Sequence, residues 1–499
     1  MPSWLDVAME FGRGRGLSED VVGVLRCFAG PHPRGGPPAP PEGPWDGGFE
    51  ALEQDSLSDV LADVADHLHE VDRPQAELFA RRLGAVDESI AALADDTGRV
   101  LRVGLRQRAR GILESPSGRA IRIRALADFY YSITGLHHHR RKGQAGRSLE
   151  EHATTAPWQA VAPGLEHARL GGASDLGPLH VNLLRVDPDA VRLRVEDCRE
   201  AVAAGIEFAS HVQDCGAMAG ISGGFFLYSE PDIEPPSQRY DPVALLMEDG
   251  EVRSPPVFER GAVLIDRNER VSIGRVGLRH VRMQAPDGTD FSPTNVVHRA
   301  RASVGPDEPS VAIVGHEVIA AGRSLPVPLN GFVLPLPPGS SLSVGDRLRY
   351  SEVEGPSGPI RAGIAGGPVL LRNGELELDM RREDFWGSAP PVTFSQDETG
   401  DRNLLPRLAA GSRPDGRLIL AAIDGRNFER ALGMTLHGTA RLLRALGCTE
   451  ATNLDGGSSK RMVVRGQALD LASTEIIAAG RTKVSVRPVH TGLLLYPRE

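Results

Sequence analysis

The stretch that most constrains the fold of this chain is Ala451-Thr452-Asn453-Leu454-Asp455-Gly456-Gly457-Ser458-Ser459. Apolar and β-tolerant residues lead to an aspartate, after which the chain is nearly free of side chains. Such a sequence predicts a strand running into an active-site turn, because glycine accepts positive φ and lets backbone approach a ligand closely. Asp-Gly-Gly is also an ordinary turn signal, so the upstream sequence carries weight. Arg417-Leu-Ile-Leu-Ala-Ala-Ile423 reads as a buried strand and ends in Asp424-Gly425-Arg426. Thr435 is placed to cap a helix in which Leu436, Ala440, Leu443 and Leu446 recur at helical spacing, and Gly447 stops it. Strand, helix, strand predicts a βαβ unit with parallel strands. Asp424 and Asp455 then occupy equivalent strand ends, where open α/β sheets hold their ligands. A third junction of this kind runs from Ala217-Met-Ala-Gly-Ile221 into Ser222-Gly223-Gly224-Phe225-Phe226.

A chain of 499 residues is long enough for two or three domains. Its 57 glycines and 38 prolines point to many turns. The formal net charge of −10 argues against a general nucleic-acid binder, which needs a basic field. Cys27, Cys198, Cys215 and Cys448 show neither C-x-x-C nor a His-paired spacing, so neither a zinc site nor a disulfide framework is expected. Cys198 and Cys215 have the option of pairing across a helix, and buried free thiols are the plainer expectation. No window approaches 18 apolar residues, which speaks against a membrane span. The start, Met1-Pro-Ser-Trp-Leu-Asp6, has neither a basic region nor an apolar core of a secretory leader, so the default expectation is cytoplasmic.

Residues 30–48 are rich in proline and glycine and read as a linker. Helical spacing among Leu57, Leu61, Val64 and Leu68 predicts a small helical region. His137-His-His-Arg-Arg-Lys142 reads as a solvated loop rather than a metal site. Texture changes after Trp158. Leu179-His-Val-Asn-Leu-Leu-Arg-Val-Asp187 alternates like a half-buried strand, a helix is expected over about Arg199–Val212, and 240–350 is rich in strands and turns.

The Asp424-Gly425-Arg426 strand end, the Gly433-Met-Thr-Leu helix start and the Asn453-Leu-Asp-Gly-Gly turn together resemble the phosphodiester glycosidase family. Ser222-Gly-Gly-Phe-Phe matches that family's Asn-x-Gly-Phe-Phe, with Ser222 in place of asparagine. Asn330-Gly-Phe-Val-Leu334 with Gly345-Asp346, Gly366-Gly-Pro368 and Pro406-Arg407-Leu-Ala-Ala-Gly411 resemble further elements in the same order. The resemblance runs over roughly residues 155–497. Two more departures lie in the main turn, where Ser458 replaces a third glycine and Lys460 replaces a second serine.

The resemblance implies hydrolysis of the C1–O bond of a sugar-1-phosphodiester, releasing sugar and a phosphate monoester. An N-acetylglucosamine-like sugar is the first guess, and nucleotide-sugar-like substrates belong to the same class. The diester's fixed charge calls for the planar fork of arginine, for which Arg407 and Arg426 are the candidates. Charge developing at the anomeric carbon calls for carboxylates, Asp455 first and Asp424 second. Asn453, Ser222 and Ser459 are expected to orient sugar or phosphate. The backbone N–H groups of Gly223, Gly224, Gly456 and Gly457 suit oxyanions. No cofactor is required, although paired carboxylates near phosphate can hold a divalent cation.

Two other readings stand beside this one. Gly220-Ile-Ser222-Gly-Gly224 formally matches the nucleophile elbow of serine hydrolases, whose helix is not apparent after Ser222. The altered motif residues also suit a non-catalytic protein that binds phosphodiester saccharides or takes part in polysaccharide assembly. The expected architecture is α+β: a catalytic domain over 155–499 with a mixed sheet and flanking helices. A mainly helical region over 1–150, with surface for a protein partner, precedes it.

Overall fold

The computed structural model describes residues 146–498, apart from 175–176, 200–206, 228–232, 234, 292, 294, 337–338, 340–341, 386–403, 427–429 and 474–487. The expected helical region and linker of residues 1–145 lie outside the described residues. What is described is 45% strand and 10% helix. This overturns the expected α+β architecture with its mixed sheet and flanking helices.

The reason lies in one strand. β9 (Leu418–Ile423) and β10 (Glu450–Leu454) are joined by helix α3 (Leu436–Ala445), as the sequence predicts. They are not neighbours, because β8 (Arg407–Ser412) lies between them and pairs antiparallel with both. β9 and β10 thus run in the same direction while every pairing in their sheet is antiparallel. A crossover helix fixes strand direction, but a third strand from elsewhere in the chain took the middle position.

This sheet has eight strands in the order β1-β2-β3-β9-β8-β10-β6-β7. Its other members are β1 (Gln159–Ala162), β2 (Leu165–Ser174), β3 (Gly177–Val186), β6 (Val369–Arg372) and β7 (Glu375–Leu376). A five-stranded antiparallel sheet is ordered β12-β11-β5-β13-β4. It comprises β4 (Val191–Asp197), β5 (Ala219–Ser222), β11 (Met462–Val464), β12 (Gln467–Ala468) and β13 (Thr491–Pro497). Three further antiparallel sheets, of six, four and three strands, fill 246–365.

One core lies between these sheets. Leu184, Leu408, Leu420 and Leu454 from the first meet Leu193, Ile221 and Leu493 from the second, with Val263 and Ile364 joining from the central region. Burying a leucine of this kind stabilises by about 1.5–3 kcal/mol before entropy is counted. β9 reads as an unbroken apolar run because both of its faces are covered: Leu418 to Ile423 are all 0% exposed. A second core around Phe258, Phe332 and Tyr350 holds the central sheets together. Thr435 does cap α3, its Oγ1 accepting from the Gly438 N–H at 2.9 Å. Gly447 follows at φ 87°, the left-handed residue that ends a helix. Two short helices complete the description, α1 (Leu149–Thr154) and α2 (Phe208–Asp214). No described helix is long and apolar enough to cross a membrane.

Candidate functional site

All three strand-to-glycine junctions meet at one edge of the sandwich. The Asp455 N–H donates to the Gly223 carbonyl at 2.9 Å, joining the end of β10 to the end of β5. Gly457 donates to the Pro406 carbonyl at 3.0 Å, just before β8 begins. Gly425 packs on Pro406 from the β9 side, where a Cβ would lie 2.7 Å from the Pro406 nitrogen. A Cβ on Gly456 would lie 2.4 Å from the Pro406 oxygen. Here glycine is dictated by backbone meeting backbone and not by a positive φ, which neither Gly425 nor Gly456 has.

The same holds at Gly224, where a Cβ would come within 2.3 Å of the Ala365 carbonyl oxygen. Gly224→Ala is expected to destabilise the fold by about 1–3 kcal/mol, the cost of overpacking against atoms that cannot rotate away. A fall in the urea unfolding midpoint at unchanged slope checks this, and an unchanged midpoint refutes it.

Asp424, 1% exposed, lies immediately past β9. Its Oδ2 accepts from His180 Nδ1 at 2.5 Å. Its Oδ1 accepts from Lys460 Nζ at 2.5 Å and from the Leu471 N–H at 3.0 Å. β3 pairs with β9 so that Val181 faces Ile423, which sets His180 opposite Asp424 across 244 residues of sequence. The His180 side chain keeps 14% of its surface exposed, against 1% for Asp424. The imidazole is therefore the member of this pair that faces outward, its Nδ1 held by the carboxylate.

Lys460 is fully buried. Besides Asp424 it donates to Asp470 Oδ2 at 3.1 Å and to the Leu471 carbonyl at 3.3 Å. Asp470 also accepts from Arg461 Nη1 at 3.3 Å and from the Met462 N–H at 2.7 Å. Two carboxylates and two cations thus neutralise one another between the sheets, as buried charges must. The substitution of lysine into the family's turn is absorbed by Asp470, a residue the sequence reading did not single out.

The remaining expected site residues divide by position. Asp455 and Arg426 are half-buried on the two turns, and the Arg426 guanidinium lies beside Gly457. Arg426 itself takes φ 56°, which turns the chain sharply after Asp424. Arg407 is 6% exposed, and its Nε donates to the Met434 carbonyl at 3.0 Å. Asn453 uses its Nδ2 to bind the Gly367 carbonyl at 2.9 Å, fastening the Gly366-Gly-Pro368 segment to β10. Ser222 Oγ accepts from the Arg461 N–H at 2.8 Å within the sheet and is 1% exposed, and no helix follows it. Gly224 donates to Thr491 Oγ1 at 2.9 Å, and Gly457 to Pro406 as above, so both N–H groups are already engaged.

Among the described residues, three buried atoms on the Asp455 segment find no hydrogen-bond partner: Asn453 Oδ1, Ser458 Oγ and Ser459 Oγ. Each such atom costs about 1–3 kcal/mol in a dry interior. Their concentration along one turn marks it as a place that a polar ligand can satisfy.

His180 escaped the sequence reading, and so did Lys460 and Asp470 as partners of Asp424. A signal for His180 was present. His180 and Asn182 are polar at alternate positions of a strand whose flanking residues are apolar, so both project from one face. Only the pairing of β3 with β9 says what they meet there.

The phosphodiester glycosidase family model matches residues 334–496, and this stretch carries the Asp424 and Asp455 turns and Lys460. A chain 38% identical over 87 residues is the SPbeta prophage-derived uncharacterized protein YomE of Bacillus subtilis, the match covering 17% of this chain and 13% of that one. The matched part is therefore a small fraction of that relative's length. Among solved structures, a hypothetical protein from Synechocystis is similar at 19% identity and TM-score 0.44, over 68% of this chain and 63% of that one. The catalytic domain of zebrafish N-acetylglucosamine-1-phosphodiester α-N-acetylglucosaminidase, auto-inhibited by its pro-peptide, is similar at 16% identity and TM-score 0.40, over 69% and 87%. Residues 334–496 thus bear out the resemblance to the family, over a shorter span than the motifs suggested.

Proposed function

We propose that the chain hydrolyses the C1–O bond of a sugar-1-phosphodiester at the edge where the β5, β9 and β10 turns meet. The observation that carries this reading is the His180–Asp424 pair, whose Asp424 lies with the Asp455 turn inside the family-matched residues 334–496. A phosphate monoester leaves readily, with a second pKa of about 6, so the reaction needs little protonation of the leaving oxygen. It needs stabilisation of the anomeric cation, a placed water or nucleophile, and a hold on the diester.

In this reading Asp455 faces the anomeric carbon. Arg426 holds the diester, with Ser459 and Ser458 completing hydrogen bonds to it or to the sugar. Asp424 has both oxygens occupied by donors, so it does not itself act on substrate. It fixes His180 with Nδ1 inward, and His180 Nε2 exchanges a proton with water or phosphate. Arg407 and Asn453 shape the edge through their backbone bonds. No metal is assigned a part.

The test is release of free sugar from a panel of sugar-1-phosphodiesters, starting with N-acetylglucosamine and including nucleotide sugars. The intact protein is compared with folded Asp455→Asn, with and without divalent cations. Release that falls at least ~10³-fold in the variant, the scale lost with a key electrostatic group, supports both reaction and residue. Equal release by both keeps the reaction and removes Asp455 from it. Binding without release across the panel favours a non-catalytic saccharide-binding protein.

A further inference from the structure

Away from this edge, Glu196 on β4, His211 on α2 and Cys215 just past its end bring three different donors together, all within 4.8 Å of one another. The sequence reading found no metal spacing here, because two ligands lie one helical turn apart and the third comes from a strand. His211 Nε2 is 3.6 Å from Glu196 Oε1 and 3.6 Å from Cys215 Sγ. The first distance is beyond a hydrogen bond. Donors sharing one tetrahedral zinc, with bonds of about 2.0–2.1 Å to nitrogen, 2.0–2.2 Å to oxygen and 2.3 Å to sulfur, lie roughly 3.4–3.6 Å apart. The Cys215 contact is a thiol–imidazole hydrogen bond, while the carboxylate at the same distance from the same nitrogen is not hydrogen-bonded to it, and the spacing of all three matches donors around one shared ion.

We infer that Glu196, His211 and Cys215 form a zinc site that clamps helix α2 to edge strand β4. The spacing of His211 and Cys215, four residues apart, presents both to one helix face, as in other helical zinc chelates. Thiol, imidazole and carboxylate together suit zinc, and they do not suit calcium or magnesium, which take oxygen ligands. All three side chains are half-buried, so an ion can reach them. Cys198 and Cys215 are both free thiols, so the disulfide option is not taken up and Cys215 is available.

The experiment uses the full chain, reduced and stripped of metal, titrated with cobalt(II) and then zinc(II). One equivalent of cobalt is expected to give tetrahedral d–d bands and a thiolate-to-cobalt charge-transfer band, both abolished by zinc. Cys215→Ser and His211→Gln are each expected to weaken cobalt binding by at least ~100-fold, the upper range for groups that merely support a metal. Replacing His137, His138 and His139 by alanine should leave the thiolate band unchanged. Thermal midpoints of the metal-free variants show that they are folded. Absence of the charge-transfer band in the intact protein, or undiminished cobalt affinity in either variant, overturns the assignment.

Discussion

Replacing His180 with glutamine is expected to lower kcat for sugar release by ~10²–10⁴-fold, the range contributed by a positioned proton-transfer group. KM should change little, because the imidazole is held by Asp424 and its role lies in the reaction rather than in holding the diester. Glutamine keeps a polar side chain of similar reach, and His180 is only partly covered, so the fold should tolerate it. Asp424→Asn is the informative companion. It keeps the shape but removes the charge that fixes the imidazole, so it should lose kcat in the same direction, with an added stability cost from Lys460. If His180→Gln turns over like the intact protein, proton transfer has no part at this residue and the His180–Asp424 pair is structural.

Lys460→Met is expected to cost about 3–5 kcal/mol of stability, the penalty for removing one partner of a buried ionic group. Lys460 is 0% exposed, and Asp424 and Asp470 each keep only 1% of their side-chain surface exposed. Losing the ammonium leaves His180 and the Leu471 N–H on Asp424, and Arg461 and the Met462 N–H on Asp470. Those bonds cannot balance two carboxylates. Adding Asp470→Asn to Lys460→Met should therefore recover part of the loss, as coupled neighbours do in a double-mutant cycle. Denaturant unfolding of the four proteins measures it. Additive losses would mean that Lys460 and Asp470 do not share one charge balance. The cycle also bears on the family's turn: lysine here is neutralised by Asp424 and Asp470 together.

Much of the candidate site's backbone framework was legible. Each strand end carrying Asp424, Asp455 and Ser222 was marked by an apolar run breaking into glycine, and the cap at Thr435 and stop at Gly447 bounded the joining helix. These are local signals: propensity, capping and tolerance of positive φ act within a few residues. What failed was sheet composition. A helix between two strands predicts a βαβ unit with parallel strands, yet the place between them went to β8, which pairs antiparallel with both. The two aspartates still reached one edge, because a crossover preserves strand direction whether or not another strand intervenes.

The sequence by itself therefore determined where strands end and which turns must be glycine. Tertiary structure alone decided which side chains meet at those ends: His180 against Asp424, Lys460 between Asp424 and Asp470, and Glu196 facing His211 and Cys215. The physical reason is range. Backbone preference is set by adjacent residues, whereas charge neutralisation and ligand geometry depend on strand pairings that join residues hundreds of positions apart.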